Sequence, residues 1–279
     1  MKKVGLIHHS AIIEPGAQID ETAEIGPYCY ISAQAKIGAN CRLIAHVTIL
    51  GDTTIGEHNI IFPQACLGGS AQEHVDTPLD GARLIIGAHS VIRENVTMHV
   101  GTEKGQTSDH GEVPEKRTTR VGSHCLFMVG SHVAHDCVVG DYVTISNNAL
   151  LAGHVRIGNH VTIGGNSAIH QWTRIGDGAM IGGMTGVGQD VIPYGMVAHG
   201  TPGKLRGINL VGMQRAGFDR EMIKTVTDAY MYIFKSTEET FKTRLQTAKL
   251  EFADNPIVQM QIAFIEQADH SPRHLLVAR

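Results

Sequence analysis

Residues 133–163 read VAHDCV-VGDYVT-ISNNAL-LAGHVR-IGNHVT-I, and every sixth residue of this stretch is aliphatic. An α-helix repeats about every 3.6 residues and a β-strand about every 2, so this period fits neither element alone. It fits one flat side of a three-sided coil, in which three hexads complete one turn. The same register holds at Ile7, Ile13, Ile19, Ile25, Ile31, Ile37, Leu43, Ile49, Ile55, Ile61, Leu67, Ile86, Ile92, Met98, Val121, Phe127, Ile169, Ile175, Ile181 and Val187.

The six-residue register predicts a mainly β fold, a parallel β-helix in which each aliphatic anchor points into a narrow core. Successive coils then pair as parallel strands about 4.8 Å apart. The fourth residue after an anchor is usually small or β-branched, as at Ala35 and Val47, and we expect it near a corner. Glycine often follows the anchor directly, as at Gly26 and Gly38, and we expect it to relieve the backbone bend.

The composition is that of a globular chain with one large domain or two smaller ones, since 42% of its 279 residues are hydrophobic. A net charge of -4 gives no reason to expect nucleic acid or an anionic membrane surface as the main partner. The apolar run at the start is too short for a signal peptide, and no stretch reaches the length of a transmembrane helix. We therefore expect a cytoplasmic protein. Its cysteines form no Cys-x-x-Cys pair and are expected to be buried and reduced: Cys29, Cys41, Cys66, Cys125 and Cys137.

Two polar segments break the register, one at about residues 69–83 and the other at about residues 101–120. We expect them to project from the β-helix as loops. Loops on a rigid scaffold often line a cleft, and we favour that function for the first one over simple decoration.

A different pattern follows residue 192, so we expect a β-helix over residues 1–192 and a small helical domain over residues 193–279. Asp219 is a predicted helix N-cap. Residues 236–239 (STEE) are read as a capping box that opens another helix, and Asn255 as the N-cap of a last one. Three or four helices are expected in total.

Histidines gather in the second hexad run, at His132, His135, His154, His160 and His170. One coil after His135 comes Gly153, next to His154, so several of these side chains are expected along one edge. Three interpretations stay open. The histidines could form a stacked polar ladder, they could bind zinc as a related prism-shaped carbonic anhydrase family does, or they could act in acid–base catalysis.

Segments around these histidines carry a resemblance to a known family: residues 131–137 (SHVAHDC), 147–155 (NNALLAGHV) and 168–171 (AIHQ). Residues 92–99 (IRENVTMH) and 212–218 (GMQRAGF) match it as well. The chain resembles the UDP-N-acetylglucosamine O-acyltransferases of lipid A biosynthesis over nearly its whole length. The hexads alone are generic to many acyltransferases, whereas the His-x-x-His-Asp and Gly-His segments are far more specific.

The resemblance implies a left-handed winding of the β-helix, against the usual crossover rule. It also implies transfer of an (R)-3-hydroxyacyl group from acyl carrier protein to the 3-hydroxyl of UDP-N-acetylglucosamine, the first step of lipid A biosynthesis. The family forms homotrimers with sites between neighbouring prisms. The resemblance requires no metal and no diffusible cofactor.

On the matching positions, His135 would be the general base and the Gly153 N–H would stabilise the thioester oxyanion. Asp136 would orient His135, although neighbouring residues of a strand point to opposite faces. Asn209 and Arg215 would reach UDP, Arg215 with charge-assisted bonds to the diphosphate. The full substrate-binding set implied by the resemblance is Gln72, Glu73, His99, His132, His154, His170, Gln171, Met180, Gly183, Asn209 and Arg215.

Met180 and Gly183 lie where the acyl pocket of the family runs, with ordinary hexad packing as the competing interpretation. The chain also departs from the family pattern. No lysine follows Glu73 in the first loop, and Ala216 replaces a second basic residue after Arg215. Val100 replaces an arginine, the segment Thr201-Pro202-Gly203-Lys204 replaces one with a histidine, and the loop ending at Arg120 is long. These changes leave open the sugar contacts, the acyl length and the acceptor, which could be a modified UDP-amino sugar.

The alternatives come from different classes. An N-acyltransferase of the same pathway carries an additional uridine-binding domain at its N-terminus, for which hexads that begin at Ile7 leave no room. A metal-dependent hydratase would contain zinc, and a purely structural β-helix would have no activity.

Overall fold

The computed structural model describes residues 7–72, 81–103, 117–198, 200–267 and 274–275. Within these ranges the chain forms strands, mostly of two residues, and then α-helices. Strands of successive coils lie side by side in parallel, because each anchor packs on the anchor of the next coil. The parallel β-helix that the hexads predict is present.

The strands stack in three sheets that form the sides of a prism. Sheet 1 contains β1 (Ile12–Ile13), β4 (Tyr30–Ile31), β7 (Thr48–Ile49), β10 (Cys66–Gly69), β13 (Thr97–His99), β16 (His132–Val133), β19 (Leu150–Leu151), β22 (Ala168–Ile169) and β25 (Gly186–Val187). Sheet 2 contains β2 (Gln18–Ile19), β5 (Lys36–Ile37), β8 (Asp52–Ile55), β11 (Arg83–Ile86), β14 (Thr118–Val121), β17 (Val138–Val139), β20 (Arg156–Ile157) and β23 (Arg174–Ile175). Sheet 3 contains β3 (Glu24–Ile25), β6 (Arg42–Leu43), β9 (Ile60–Ile61), β12 (Val91–Ile92), β15 (Leu126–Phe127), β18 (Thr144–Ile145), β21 (Thr162–Ile163), β24 (Met180–Ile181), β26 (Gly195–Ala198) and β27 (Lys204–Ile208).

The anchor is the second residue of each short strand, and it is the one that is buried. Val133, Leu151 and Ile169 are direct neighbours in sheet 1, and each is at most 1% exposed. The residue before each anchor points outward, as His132 does beside Val133. The register therefore decides which side chains face the core and which face the outside of the prism.

The bend at each corner falls on the third residue after the anchor, which has a positive φ in most coils. His124 (φ 58°) and Asn148 (φ 55°) are examples, and histidine and asparagine tolerate this conformation better than most residues. Gly26 does not have a positive φ, and a Cβ there would lie 1.8 Å from the Ile44 carbonyl oxygen of the next coil. The expectation that this glycine relieves the bend is wrong, because close approach of the next coil is what requires it.

Aromatic rings stack along the corner between sheet 2 and sheet 3, with centroids of neighbours 4.7–4.9 Å apart and planes within 8°. We call this stack the corner column, and its members are His58, His89, His124, Tyr142 and His160. The ladder interpretation thus holds for His160, which lies on a different corner from His135. Its position after β20 places His160 one side of the prism further on than His135.

Both insertions leave the prism from sheet 1 and return to sheet 2. The first lies between β10 and β11, and the second between β13 and β14. The second insertion ends at Arg117 rather than near residue 120, because Thr118 and Thr119 already pair with β11. Residues 73–80 and 104–116, which include most of both loops, lie outside the described residues.

The strands continue beyond residue 192, where the helical domain was expected to begin. β26 extends sheet 3 in parallel and β27 turns back antiparallel to it, so the apolar anchors of this segment still pack on the prism. The helices are α1 (Leu210–Arg215), α2 (Arg220–Lys235), α3 (Phe241–Glu251) and α4 (Pro256–Glu266).

The helix caps agree with the sequence at two positions and differ at one. Asp219 caps α2 and Asn255 caps α4, as predicted. The predicted capping box at residues 236–239 is wrong, because Ser236 ends α2 and the Thr240 side chain accepts the N–H of Thr243 to cap α3. None of these helices, within the described part of the chain, has the length and apolar character needed to cross a membrane.

All five cysteines are free thiols, as predicted. Four are buried and Cys66 is half-buried. Burial raises the pKa of each of these thiols, that of Cys137 to about 12.

Candidate active site

The candidate site lies at the corner between sheet 1 and sheet 2, which we call the site corner. His99 ends β13, and His132 begins β16 in the next coil of sheet 1. His135 follows two residues after the β16 anchor, and His154 takes the corner position of the following coil. The structure thus brings together four of the predicted histidines on neighbouring rungs.

His135 and Asp136 form a hydrogen-bonded pair, with Nδ1 of His135 2.8 Å from Oδ2 of Asp136. Asp136 is a corner residue with a φ of 57°, so the alternation of side chains along a strand does not apply to it. The alternation of neighbouring strand residues is therefore no objection to Asp136 orienting His135. His135 is 7% exposed and Asp136 is 1% exposed, which shields their hydrogen bond from water.

Two threonines that the sequence analysis missed hold Asp136. Thr102 donates its backbone N–H to Oδ1 at 2.9 Å and its hydroxyl to Oδ2 at 2.7 Å. The backbone N–H of Asp136 donates to the Thr119 hydroxyl at 2.8 Å. Burial acts to raise the pKa of Asp136, but the hydrogen bonds from His135 and Thr102 outweigh it, so the pKa lies below its usual value.

Gly153 lies directly over the His135 ring. A Cβ on Gly153 would be 2.5 Å from Cε1 of His135, a distance that no side chain tolerates. At the corner between sheets 2 and 3, the N–H groups equivalent to that of Gly153 are bound by side chains of the next coil, as at Ser123 and Asp141. At that corner, therefore, this N–H binds a side chain and not a backbone carbonyl, which is the availability that an oxyanion-binding role requires of the Gly153 N–H.

His154 is 4% exposed and lies between two partners of the site corner. Its Nε2 is 3.7 Å from Oδ2 of Asp136, and its ring meets the His135 ring edge-on at 5.0 Å. On the other side, Trp172 stacks on it with ring centroids 3.7 Å apart and planes at 2°. Trp172 lies one coil after His154 in the hexad register, but the register alone does not predict this stacking.

His99 and His132 form the other end of the site. Their rings contact edge-to-face at 5.0 Å, and the Thr97 hydroxyl is 2.7 Å from Nδ1 of His132. Burial, with the charges of His132 and His135, lowers the pKa of His99 to about 4. Burial and the charge of His135 also lower the pKa of His132. Both rings are therefore neutral near pH 7, and each can donate one hydrogen bond from one nitrogen and accept one at the other.

The remaining residues of the predicted set divide between this corner and other parts of the fold. His170 and Gln171 follow β22 one coil above, and His170 is exposed. Gln72 is exposed just after β10, whose Gly69 lies beside His99. Glu73 lies outside the described residues.

Four predicted residues do not join the histidines within one chain. Met180 belongs to sheet 3, and Gly183 follows it toward the corner between sheet 3 and sheet 1. Asn209 caps α1, with Oδ1 accepting the Gly212 N–H and Nδ2 donating to the Gly178 carbonyl. Arg215 ends α1.

The described residues also contain one group with a composition suited to a metal ion. The group consists of His135, Asp136 and His154, each of which offers one ligand atom, and these three atoms lie within 4.8 Å of one another. In the geometry present, the carboxylate of Asp136 is engaged by Nδ1 of His135 and by Thr102. A metal would have to replace the His135–Asp136 hydrogen bond in order to use both residues.

Comparison with known proteins identifies the family. A curated acyl-[acyl-carrier-protein]–UDP-N-acetylglucosamine O-acyltransferase of Caulobacter vibrioides is 48% identical over 266 residues, covering 95% of this chain and 96% of that protein. The counterpart of Sinorhizobium fredii is 42% identical over 259 residues, covering 93% and 91%. The chain belongs to this acyltransferase family.

Two protein-family models agree with this assignment. The model of the bacterial transferase hexapeptide (six repeats) matches residues 118–153 and 154–189, and the model of domain 2 of UDP-N-acetylglucosamine O-acyltransferase matches residues 190–275. The structure of LpxA from Acinetobacter baumannii superposes with a TM-score of 0.88 at 39% identity, covering 98% of this chain and 100% of that one. The fold is therefore a left-handed parallel β-helix with C-terminal helices, and the resemblance found in the motifs is confirmed.

Proposed function

We propose that the chain transfers an (R)-3-hydroxyacyl group from acyl carrier protein to the 3-hydroxyl of UDP-N-acetylglucosamine, the first step of lipid A biosynthesis. The names of its relatives support this reaction. The observation that carries the mechanism is the contact of His135 with both Asp136 and Gly153. An imidazole oriented by a carboxylate, beside the backbone of a glycine whose N–H would bind the oxyanion, suits attack of a hydroxyl on a thioester.

In the proposed reaction, Asp136 accepts the Nδ1–H of His135 and leaves Nε2 with a free lone pair. Nε2 takes the proton of the sugar 3-hydroxyl as its oxygen attacks the thioester carbon. The Gly153 N–H stabilises the negative charge on the former carbonyl oxygen. When the tetrahedral intermediate collapses, the C–S bond breaks and the His135 imidazolium returns its proton to the thiolate, so that the ester and the free thiol leave.

We assign substrate contacts to the residues around this pair. His99 and His132 are neutral and face the same corner, so they suit hydrogen bonds to sugar or acyl oxygens. His154, His170 and Gln171 extend the site along the next coils. Gln72 and Glu73 would reach it from the first insertion.

We assign the main contact with the nucleotide to Arg215, since a guanidinium forms charge-assisted hydrogen bonds with a diphosphate. The amide of Asn209 already caps α1, so its contact with UDP would be secondary. Met180 and Gly183 would line the acyl chain, with Gly183 leaving room for a longer chain.

The histidines lie at the corner between sheets 1 and 2, whereas Met180 lies on sheet 3. This separation supports a homotrimer with sites between neighbouring copies. From β9 to β26 the outward side chains of sheet 3 are apolar apart from Thr144 and Thr162, and a neighbour would cover them. The apolar ones are Ile60, Val91, Leu126, Met180 and Met196. We place the enzyme in the cytoplasm, where acyl carrier protein and UDP-sugars would meet it.

The test of this function is incubation of the protein with a panel of acyl carrier protein thioesters and UDP-sugars, read by mass spectrometry. We expect an ester of UDP-N-acetylglucosamine. An amide product would identify an N-acyltransferase, and a product only on another UDP-sugar would identify a modified acceptor. No acylated product from any pair would contradict the proposal.

The role of His135 is tested by His135→Ala in the same assay. We expect kcat to fall by roughly 10²–10⁴-fold, since that is what a general base contributes. The matched control is His160→Ala in the corner column, which should keep near-normal kcat. Normal turnover of a folded His135→Ala trimer would remove His135 from the mechanism.

A metal-dependent hydratase is the second candidate, because His135, Asp136 and His154 could bind an ion. Measurement of metal content, together with the assay after treatment with a chelator, separates the two. Acyl transfer that survives chelation supports the proposal, whereas bound zinc and loss of activity on its removal would favour the metal site.

A further inference from the structure

Both ends of the second insertion meet at Asp136. Thr102 lies just after β13, where this insertion begins, and Thr119 lies in β14, where it ends. Thr102 is 1% exposed and Thr119 is fully buried. Thr119 binds the backbone of Asp136 and Thr102 binds its carboxylate, so the insertion closes on this one residue.

The Asp136 carboxylate has two imidazoles within reach. Its Oδ2 is 2.8 Å from Nδ1 of His135 but 3.7 Å from Nε2 of His154. A rotation of the carboxylate would change which ring it serves. Thr102 opposes that rotation, because its N–H holds Oδ1 while its hydroxyl holds Oδ2.

The hydroxyl of Thr102 also acts on the charge of Oδ2. A buried carboxylate stays ionised only if donors replace the water it has lost. An oxygen that already accepts the Thr102 hydroxyl is a weaker base toward the proton on Nδ1 of His135. The proton therefore stays on the imidazole, and Nε2 keeps the lone pair that the reaction uses.

We propose that Thr102 is a positioning residue, whose hydroxyl fixes the Asp136 carboxylate on His135 and thereby sets the His135 tautomer. This inference rests on the proposed function for its effect on turnover. Its effect on the tautomer does not depend on that function.

The first test compares Thr102→Val, which keeps the shape and backbone N–H but removes the hydroxyl, with Thr102→Ser, which restores it. We expect Thr102→Val to lower kcat by about tenfold, the effect of losing one hydrogen bond to a charged group, with KM for the UDP-sugar nearly unchanged. Thr102→Ser should recover most of kcat. If the valine variant does not fold, Thr102→Ala gives the same comparison with serine.

The matched control is Thr53→Val. Thr53 is also a fully buried threonine of the prism, and its hydroxyl donates to the Leu50 carbonyl at 2.6 Å, away from the histidines. It should lose stability and keep kcat. Unchanged kcat in Thr102→Val, or an equal loss in Thr102→Ser, would overturn the role of the hydroxyl.

The second test reads the tautomer directly, by NMR of protein carrying 15N-labelled histidine, with His135→Asn used to assign the signal. In the wild type, the neutral His135 ring should be the tautomer that carries its hydrogen on Nδ1. Thr102→Val should shift the ring toward a mixture of the two tautomers. A lower kcat with an unchanged His135 spectrum would overturn the inference, because Thr102 would then act by another route. If His135→Ala keeps its activity, the proposed mechanism fails while the tautomer measurement still decides the role of Thr102.

Discussion

At the scale of the residue, the site depends on a departure from strand geometry. Asp136 adopts a positive φ, which turns its side chain toward His135 instead of the opposite face. Aspartate tolerates this conformation because its short polar side chain bonds locally. The same backbone position carries His154 and Trp172 in the next two coils, and their rings stack. One conformational rule therefore places Asp136, His154 and the ring that stacks on His154 in a column.

Gly153 provides a prediction at this scale. Gly153→Ala should lower kcat by about 10²-fold, because the new methyl must push the His135 ring aside and a displacement of about 1 Å has that effect. Steady-state kinetics with a thermal unfolding curve measures it. Gly188→Ala is the control, since a Cβ there meets no atom within 4 Å. A Gly153→Ala enzyme with full kcat would show that the ring position does not matter.

At the scale of the element, most two-residue strands contribute one anchor to the core, and one corner of the prism adds a column of stacked rings. In the corner column, Tyr142 lies 4.7 Å from the His124 ring and 4.8 Å from the His160 ring, with planes within 5°. These exposed rings repeat with the coil spacing and join one coil to the next outside the core. The many histidines of this chain thus serve two purposes, packing at one corner and the candidate site at another.

The corner column is tested with Tyr142→Ala. We expect a loss of about 1 kcal/mol in the free energy of unfolding, since two aromatic pairs are removed from an exposed position. Tyr142→His should recover most of it, because histidine can stack and tolerates the φ of 58°. Urea unfolding at one fixed protein concentration measures both variants. A histidine variant as unstable as the alanine variant would argue that the rings do not stabilise the prism.

At the scale of the whole molecule, the sequence predicts the prism well and the site in part. The anchors repeat every six residues, so burial of Val133 or Leu151 follows from local periodicity. The Thr102–Asp136 contact spans 34 residues and depends on how an insertion closes, which no local pattern encodes. The corner bend was assigned to glycine, although asparagine and histidine at the third position after the anchor carried the signal. In the proposed homotrimer Met180 and Arg215 join the site through a second copy, so one chain leaves their roles as predictions.

Sharing of the site between copies gives a prediction that mixed trimers can test. His135→Ala and Arg215→Ala should each be inactive alone, because each removes one side of every site. In a trimer that contains both variants, one site pairs an intact His135 with an intact Arg215. Random mixing at equal amounts should then restore about a quarter of the wild-type activity, given cyclic symmetry.

The control for this experiment mixes His135→Ala with Asp136→Asn. These two residues are hydrogen-bonded at the same corner of one prism, so no mixed site contains both in intact form. Activity should stay at the level of the separate variants. Recovery in this control would mean that mixing restores activity by some route other than a shared site. No recovery in mixed trimers of the first pair would place Arg215 and His135 in the same copy. Each site would then have to be built within a single prism, although Met180 and His132 lie on different sheets of it.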